Sequence, residues 1–146
     1  MKICLVCSHG GHLTELLHLK EAFDGHEIFF ITYDSKRTRQ LEHRYLLRNI
    51  GKNPLLMGSA FSAILRILLK EKPKLIISTG SEIAVPAFYI AKFLGMKTIF
   101  IETFTRVVQP SGSGRIVYMV SDVFLVQSEQ LLSRYGKKAK YEGAVV

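Results

Sequence analysis

What most restricts the fold of this chain is a set of short apolar runs that are continuous rather than alternating: Ile3–Cys7, Ile28–Ile31, Leu75–Ile77, Thr98–Ile101 and Val123–Val126. A strand with one face in water alternates apolar and polar residues, whereas a strand covered on both faces does not. Segments with a helical period separate the runs. Thr14–Phe23 is amphipathic, Ser59–Glu71 sets Phe61, Ile64, Leu65, Leu68 and Leu69 on one stripe, and Val85–Leu94 is apolar nearly all round apart from Lys92. Strand and helix in alternation imply an α/β protein with a parallel sheet between helical layers. The interval between the second and third runs is about twice the others, with room for one more strand, and Pro54-Leu55-Leu56-Met57 is the candidate. Lys140–Glu142 is a further short candidate, so the expectation is a parallel sheet of six to seven strands. With 146 residues, no internal repeat and no linker, residues 1–146 are expected to form a single domain.

Composition narrows the setting. An apolar content of 48% excludes disorder. The longest uncharged apolar stretch, Ile83–Ala91, is far short of the ~18–20 residues that cross a bilayer. Lys2 is followed by an apolar run too short for a signal peptide, so a soluble or peripheral intracellular protein is expected. Cys4 and Cys7 have the spacing of a metal or redox pair. Three residues apart on a strand, however, they point to opposite faces, and both read as small buried hydrophobes. The formal charge of +8 is clustered: Lys36, Arg37, Arg39, Arg44 and Arg48 face only Glu42, and the tail carries Arg134, Lys137, Lys138 and Lys140. Anionic lipid, a phosphorylated substrate or a plainly solvated face would each account for this. Nucleic acid is the weakest explanation, because the basic clusters are not expected to carry interleaved aromatics on a sheet and match no known nucleic-acid motif.

Three polar stretches follow strand runs, and in a parallel sheet all three fall on the carboxyl edge, where ligands bind. They are Ser8-His9-Gly10-Gly11-His12, Ser78-Thr79-Gly80-Ser81-Glu82 and Glu102-Thr103-Phe104-Thr105-Arg106. In the first, two glycines clear side chains from a helix start whose free amides suit an anion. A dinucleotide site needs three glycines as G-x-G-x-x-G; Ser8–Leu13 fails this pattern, although Asp34 stands where a ribose-binding acid would. His9-x-x-His12 lacks the H-E-x-x-H pattern and has no third histidine on these loops, so no metal site is expected.

Taken together, Ser8–His12, Ser78-Thr79-Gly80 with Ile83-Ala84-Val85-Pro86, Ile99-Phe100-Ile101-Glu102, Asp122–Gln127 and Tyr141-Glu142-Gly143 resemble one family along nearly the whole chain. It is the acceptor-binding, membrane-recruiting subunit of the split glycosyltransferase that adds the second N-acetylglucosamine in asparagine-linked glycan assembly. PssD/CpsF-type polysaccharide proteins are its prokaryotic members. The chain is similar, more distantly, to the amino-terminal half of MurG-type transferases, whose first loop is also Gly-Gly-His.

The resemblance implies the Rossmann-like amino-terminal half of a GT-B fold, with the donor-binding half on a separate partner subunit. It implies transfer, with inversion, from a UDP-sugar to a lipid-pyrophosphate-linked sugar acceptor, without a cofactor. The site would be peripheral at the cytoplasmic face of a membrane, held there by an anionic surface because the amino-terminal anchor of eukaryotic members is not seen here. His12 matches the family's loop histidine and is the first candidate for the base that takes the acceptor proton; Glu102 is the rival. Ser8, His9, Gly10, Gly11, Thr79, Gly80, Ser81, Glu82, Thr103 and Arg106 are the candidates for holding acceptor and phosphate, Arg106 pairing alternatively with Glu102. Two other readings stay open: a non-catalytic recruiting subunit, and a stand-alone nucleotide-binding regulator.

Overall fold

A computed structural model of the chain describes residues 1–51 and 53–143. The strands are β1 (Lys2–Val6), β2 (Glu27–Tyr33), β3 (Arg44–Leu47), β4 (Leu75–Ser78), β5 (Lys97–Ile101), β6 (Val123–Val126) and β7 (Ala139–Tyr141). The helices are α1 (Gly11–His18), α2 (Pro54–Glu71), α3 (Ala84–Leu94) and α4 (Gly112–Val117), with single 3-10 turns at Lys20–Phe23, Thr38–Gln40, Tyr118–Val120 and Glu129–Leu131. All neighbouring strands pair in parallel, in the order β3-β2-β1-β4-β5-β6-β7. The chain lays β2 and β3 on one side of β1, then returns to build β4 to β7 on the other. The order therefore reverses between β1 and β4, and a crevice opens there at the carboxyl edge.

Each face of the sheet has its own core. On one, Cys4, Val6, Phe29 and Ile31 pack under Ile64 and Leu68 of α2, Phe88 of α3 and Val117 of α4. On the other, Ile3, Leu5, Cys7 and Phe30 pack under Leu13 and Leu16 of α1. The alternation of β1 thus places Cys4 and Cys7 in opposite layers, where burial raises the Cys4 thiol well above its ordinary range and Cys7 to about 12.

The extra strand lies elsewhere than the pattern predicts. Pro54–Met57 is the first turn of α2: the Asn53 side chain accepts from the Leu55 amide at 2.9 Å, and Pro54 occupies a helix-start position where its missing N–H costs nothing. The strand is Arg44–Leu47, within the basic cluster. It is an edge strand paired only to β2, so one side stays open and its run is short and mixed in polarity. The helix expected over Thr14–Phe23 begins earlier, at Gly11, and breaks after His18 into the 3-10 turn. Tyr141 ends a seventh strand that starts at Ala139 rather than Lys140.

Candidate functional site

The loops after β1, β4 and β5 meet over the crevice and, with the start of α4, enclose a groove of about 590 Å³. His12, Ser81, Glu82, Thr103, Arg106 and Ser111 line it, and Met57, Val85 and Ile116 supply an apolar wall.

His12 and Thr79 clamp the β1 and β4 loops together. The His12 Nδ1 lies 2.9 Å from the Thr79 carbonyl oxygen, and the Thr79 hydroxyl donates to the His12 carbonyl at 2.6 Å. A carbonyl can only accept, so the Nδ1 contact requires Nδ1–H and leaves Nε2 as the lone-pair nitrogen of the neutral ring. Gly80 makes room for this arrangement. Its φ is +127°, and a Cβ there would stand 2.8 Å from His12 Cε1 and 3.0 Å from Nδ1. Gly10 and Gly11 differ: a Cβ on either would meet nothing within 4 Å. Packing therefore places no demand on those two glycines, and the absent side chains leave the first amides of α1 open to approach.

Ser81 has a left-handed backbone at φ +84°, unusual for a residue with a side chain, and donates to Glu82 Oε2 at 2.8 Å. Glu82 Oε1 accepts from the Tyr33 hydroxyl at 2.9 Å. Burial works against the charged form of Glu82. Its own backbone amide, the two hydroxyls and nearby His12 outweigh that, so its carboxyl titrates below the usual range. Tyr33 titrates above its ordinary range, through burial and its bond to Glu82. His9 is exposed and sits edge-on to Tyr33, with ring centroids 6.1 Å apart, away from His12's contacts. Ser8 is partly exposed and does not line the groove.

Glu102 is placed differently from the expectation of a working base. It is fully buried; Oε1 accepts from the Thr103 amide at 3.1 Å, and Oε2 accepts from the Ser111 amide at 3.0 Å, the Ser111 hydroxyl at 2.9 Å and the Tyr135 hydroxyl. With one donor on Oε1 and three on Oε2, the carboxylate braces the 103–111 loop and the start of α4. Tyr135 is pushed above its ordinary range, by burial and by donating to this carboxylate. Gly114 permits the packing, since a Cβ there would come within 2.6 Å of Glu102 Oε2. Arg106 forms no ion pair among the described residues and stands exposed on the groove, not against Glu102. Asp34 is held by Arg39 through two bonds of 2.7 and 2.9 Å. Among the described residues, no three His, Cys, Asp or Glu side chains are grouped to hold a metal ion.

Sequence reasoning missed Glu15, Tyr33 and the Ser111–Gly114 helix start. The last carried a signal, Ser-Gly-Ser-Gly after a proline, of the kind that caps a helix close to a ligand. Glu15 sits three residues after His12, on the same side of α1.

Solved structures with this architecture are numerous. Across 99% of the chain the fold matches MurG from Acinetobacter baumannii with a TM-score of 0.81 at 13% identity, covering 46% of that protein. It matches UDP-N-acetylglucosamine 2-epimerase from Rickettsia bellii with a TM-score of 0.78 at 16% identity, covering 45%. At such identities the likeness is one of fold: a Rossmann-like half of a GT-B architecture. In sequence, the chain is 32% identical over 113 residues to the UDP-N-acetylglucosamine transferase subunit ALG14 of Debaryomyces hansenii, covering 68% of this chain and 47% of that one. The Candida albicans subunit of the same name is 38% identical over 92 residues, 59% of this chain and 41% of that one. The Homo sapiens subunit aligns with all of this chain at 24% identity, over 83% of its own length. The chain thus spans about half the length of the yeast relatives it matches. The family model described as "Oligosaccharide biosynthesis protein Alg14 like" matches residues 31–145, a span that includes the Thr79–Glu82 and Glu102–Ser111 loops. By that match, the chain belongs to the Alg14-like family of oligosaccharide biosynthesis proteins.

Proposed function

We propose that this chain is the acceptor-side subunit of a two-component inverting glycosyltransferase, and that the groove holds a lipid-pyrophosphate-linked sugar. Its named relatives are UDP-N-acetylglucosamine transferase subunits, which supports a UDP-linked hexosyl or N-acetylhexosaminyl donor carried by a separate donor-binding subunit. One observation carries the reading. His12 lines the groove with Nδ1 committed to the Thr79 carbonyl, so Nε2 is free to take a proton. In the reaction the acceptor hydroxyl gives its proton to Nε2 while its oxygen bonds to the anomeric carbon. The bond from that carbon to the UDP oxygen breaks, and its electron pair leaves with UDP.

The surroundings suit such an acceptor. The α1 amides beside Gly10 and Gly11 and the Arg106 guanidinium offer donors to a pyrophosphate, while Ser81, Glu82 and Thr103 offer hydrogen bonds to sugar hydroxyls. Glu102 acts in this scheme as a brace for Thr103 and Ser111. No helix among the described residues is long and apolar enough to cross a membrane. Exposed apolar side chains stand on α2 and α4, both of which contribute to the groove: Leu55, 84% exposed, and Phe61 on α2, and Ile116 on α4, with exposed Arg106 on the groove and exposed Arg115 next to Ile116 in the chain. Such a surface fits peripheral docking on the anionic cytoplasmic face of a membrane, with the acceptor's lipid left in the bilayer. The test is His12→Ala, assayed with the donor-binding partner and a lipid-linked acceptor. A loss of about 10²–10⁴ in turnover is expected of a general base; near-normal turnover would leave this subunit a binding and recruiting partner only.

A further inference from the structure

One buried carboxylate in the site is only half used. Glu15 of α1 has a side chain with no exposure to solvent. Its Oε1 accepts from the Phe104 amide at 2.8 Å and from Gln127 Nε2 at 2.9 Å, which ties α1 to the loops after β5 and β6. Its Oε2 has no hydrogen-bond partner among the described residues, although buried polar atoms are almost always satisfied. That oxygen lies 4.0 Å from His12 Nδ1. The two residues are three apart on one helix, so the backbone fixes their separation. A buried carboxylate oxygen left unpartnered is costly, and the basic group 4.0 Å from it is a ring that becomes a cation only when it takes a proton.

We infer that Glu15 is the positioning residue for His12: a counter-charge, built into α1, that holds the ring's orientation and stabilises the imidazolium formed when Nε2 takes the acceptor proton. This inference rests on the functional reading above and adds a residue to it. The Thr79 carbonyl accepts from Nδ1–H in both protonation states and selects the tautomer, but it carries no net charge. Other charges face the same ring. Glu82 lies across the groove on the loop after β4, and its own titration registers His12; Arg106, on the loop after β5, acts in the opposite sense. Glu82, however, is shared with Ser81 and Tyr33, and both of its oxygens are occupied. Only Glu15 brings an uncommitted oxygen from the ring's own helix.

The experiment uses Glu15→Gln, which keeps the shape and an oxygen to accept from Phe104 and Gln127 but removes the charge. In the isolated chain, the pH at which the His12 ring signals turn over in NMR is expected to fall relative to the unsubstituted chain. An unmoved turnover overturns the inference, whatever the enzyme does. With the partner and a lipid-linked acceptor, turnover is expected to fall about 10–100-fold, part of the 10²–10⁴ that a general base supplies, with KM little changed and the acid limb of the pH profile displaced in the same direction. A moved NMR turnover with unchanged turnover rate would uphold the Glu15–His12 pairing and count against His12 as the base. If the variant does not fold, the unsubstituted chain still decides. The Glu15 carboxylate carbon resonance is expected to move with the same midpoint as the His12 ring, and a carboxylate blind to the ring refutes the pairing.

Discussion

Gly80→Ala is the sharpest test of how this fold builds its site, because one added carbon acts on backbone and ring together. At φ +127° a residue with a side chain is strained, by about 1–3 kcal/mol. The new Cβ would also stand 2.8 Å from His12 Cε1, and ordinary contact needs several tenths of an ångström more. The ring cannot yield freely, since its Nδ1 is held 2.9 Å from the Thr79 carbonyl; giving up that bond costs about 1 kcal/mol more. A total near 2–4 kcal/mol follows. At ~2.1 cal/mol/K of unfolding entropy per residue, a chain of 146 residues loses ~3 °C in Tm for each kcal/mol. The expected drop is therefore about 6–12 °C, followed by circular dichroism, with displaced His12 ring signals in NMR. Gly11→Ala is the control. Its Cβ would meet nothing within 4 Å and alanine favours a helix, so Tm should hold or rise by up to ~3 °C while acceptor affinity falls. If Gly80→Ala melts with the unsubstituted chain and leaves the His12 signals in place, the clamp between the two loops is not what positions the ring.

Glu102→Gln should cost about 1–3 kcal/mol in thermal or denaturant unfolding, because an amide cannot accept from all the donors of Thr103, Ser111 and Tyr135. Its KM for acceptor should rise without loss of the acid limb of the pH profile; loss of that limb would restore Glu102 as the base. Glu71 contributes to acid stability. Burial pushes its carboxyl up, but Tyr45, Lys2 and His43 outweigh this and hold it below its ordinary 4.5. A depressed carboxylate stabilises the fold above its unfolded pKa, and that contribution is lost as pH falls through the lower folded value. Denaturant midpoints should therefore fall below about pH 4.5, and Glu71→Gln should flatten that limb. For the membrane, Leu55→Asp adds an acid to the first turn of α2, where the helix end tolerates it, and removes a side chain that is 84% exposed. Co-sedimentation with anionic vesicles should weaken about 10–100-fold, the worth of burying one leucine, and should fall with added salt; vesicle binding indifferent to both would dismiss the surface.

Much of this is legible in the amino-acid sequence. Short continuous apolar runs in alternation with helical periods fit strands covered on both faces, so the parallel α/β sheet and the shared edge of the Ser8–His12, Ser78–Glu82 and Glu102–Arg106 loops follow from local pattern. The opposite placement of Cys4 and Cys7 follows from the two-residue period of a strand. Edge strand Arg44–Leu47 was not legible: one open side removes the demand for an apolar run, and its arginine reads as surface charge. Pro54–Met57 misled because a leucine pair fits strand and buried helix alike, while the Asn-Pro before it marked the helix.

The different settings of His12 and Glu102 belong to the tertiary structure. In sequence His12 is the first candidate and Glu102 its rival, each a titratable residue after a strand. How each is held depends on groups far along the chain: Thr79 at 67 residues' distance turns the His12 ring, while Ser111 and Tyr135 close over Glu102. Glu15 is the extreme case, its used oxygen reaching Phe104 and Gln127, 89 and 112 residues away. Periodicity and turn chemistry act over a few residues and can be read along the chain. The satisfaction of a buried lone pair depends on which distant donors the sheet order brings alongside, and only the folded arrangement of β1, β4, β5 and β6 decides that.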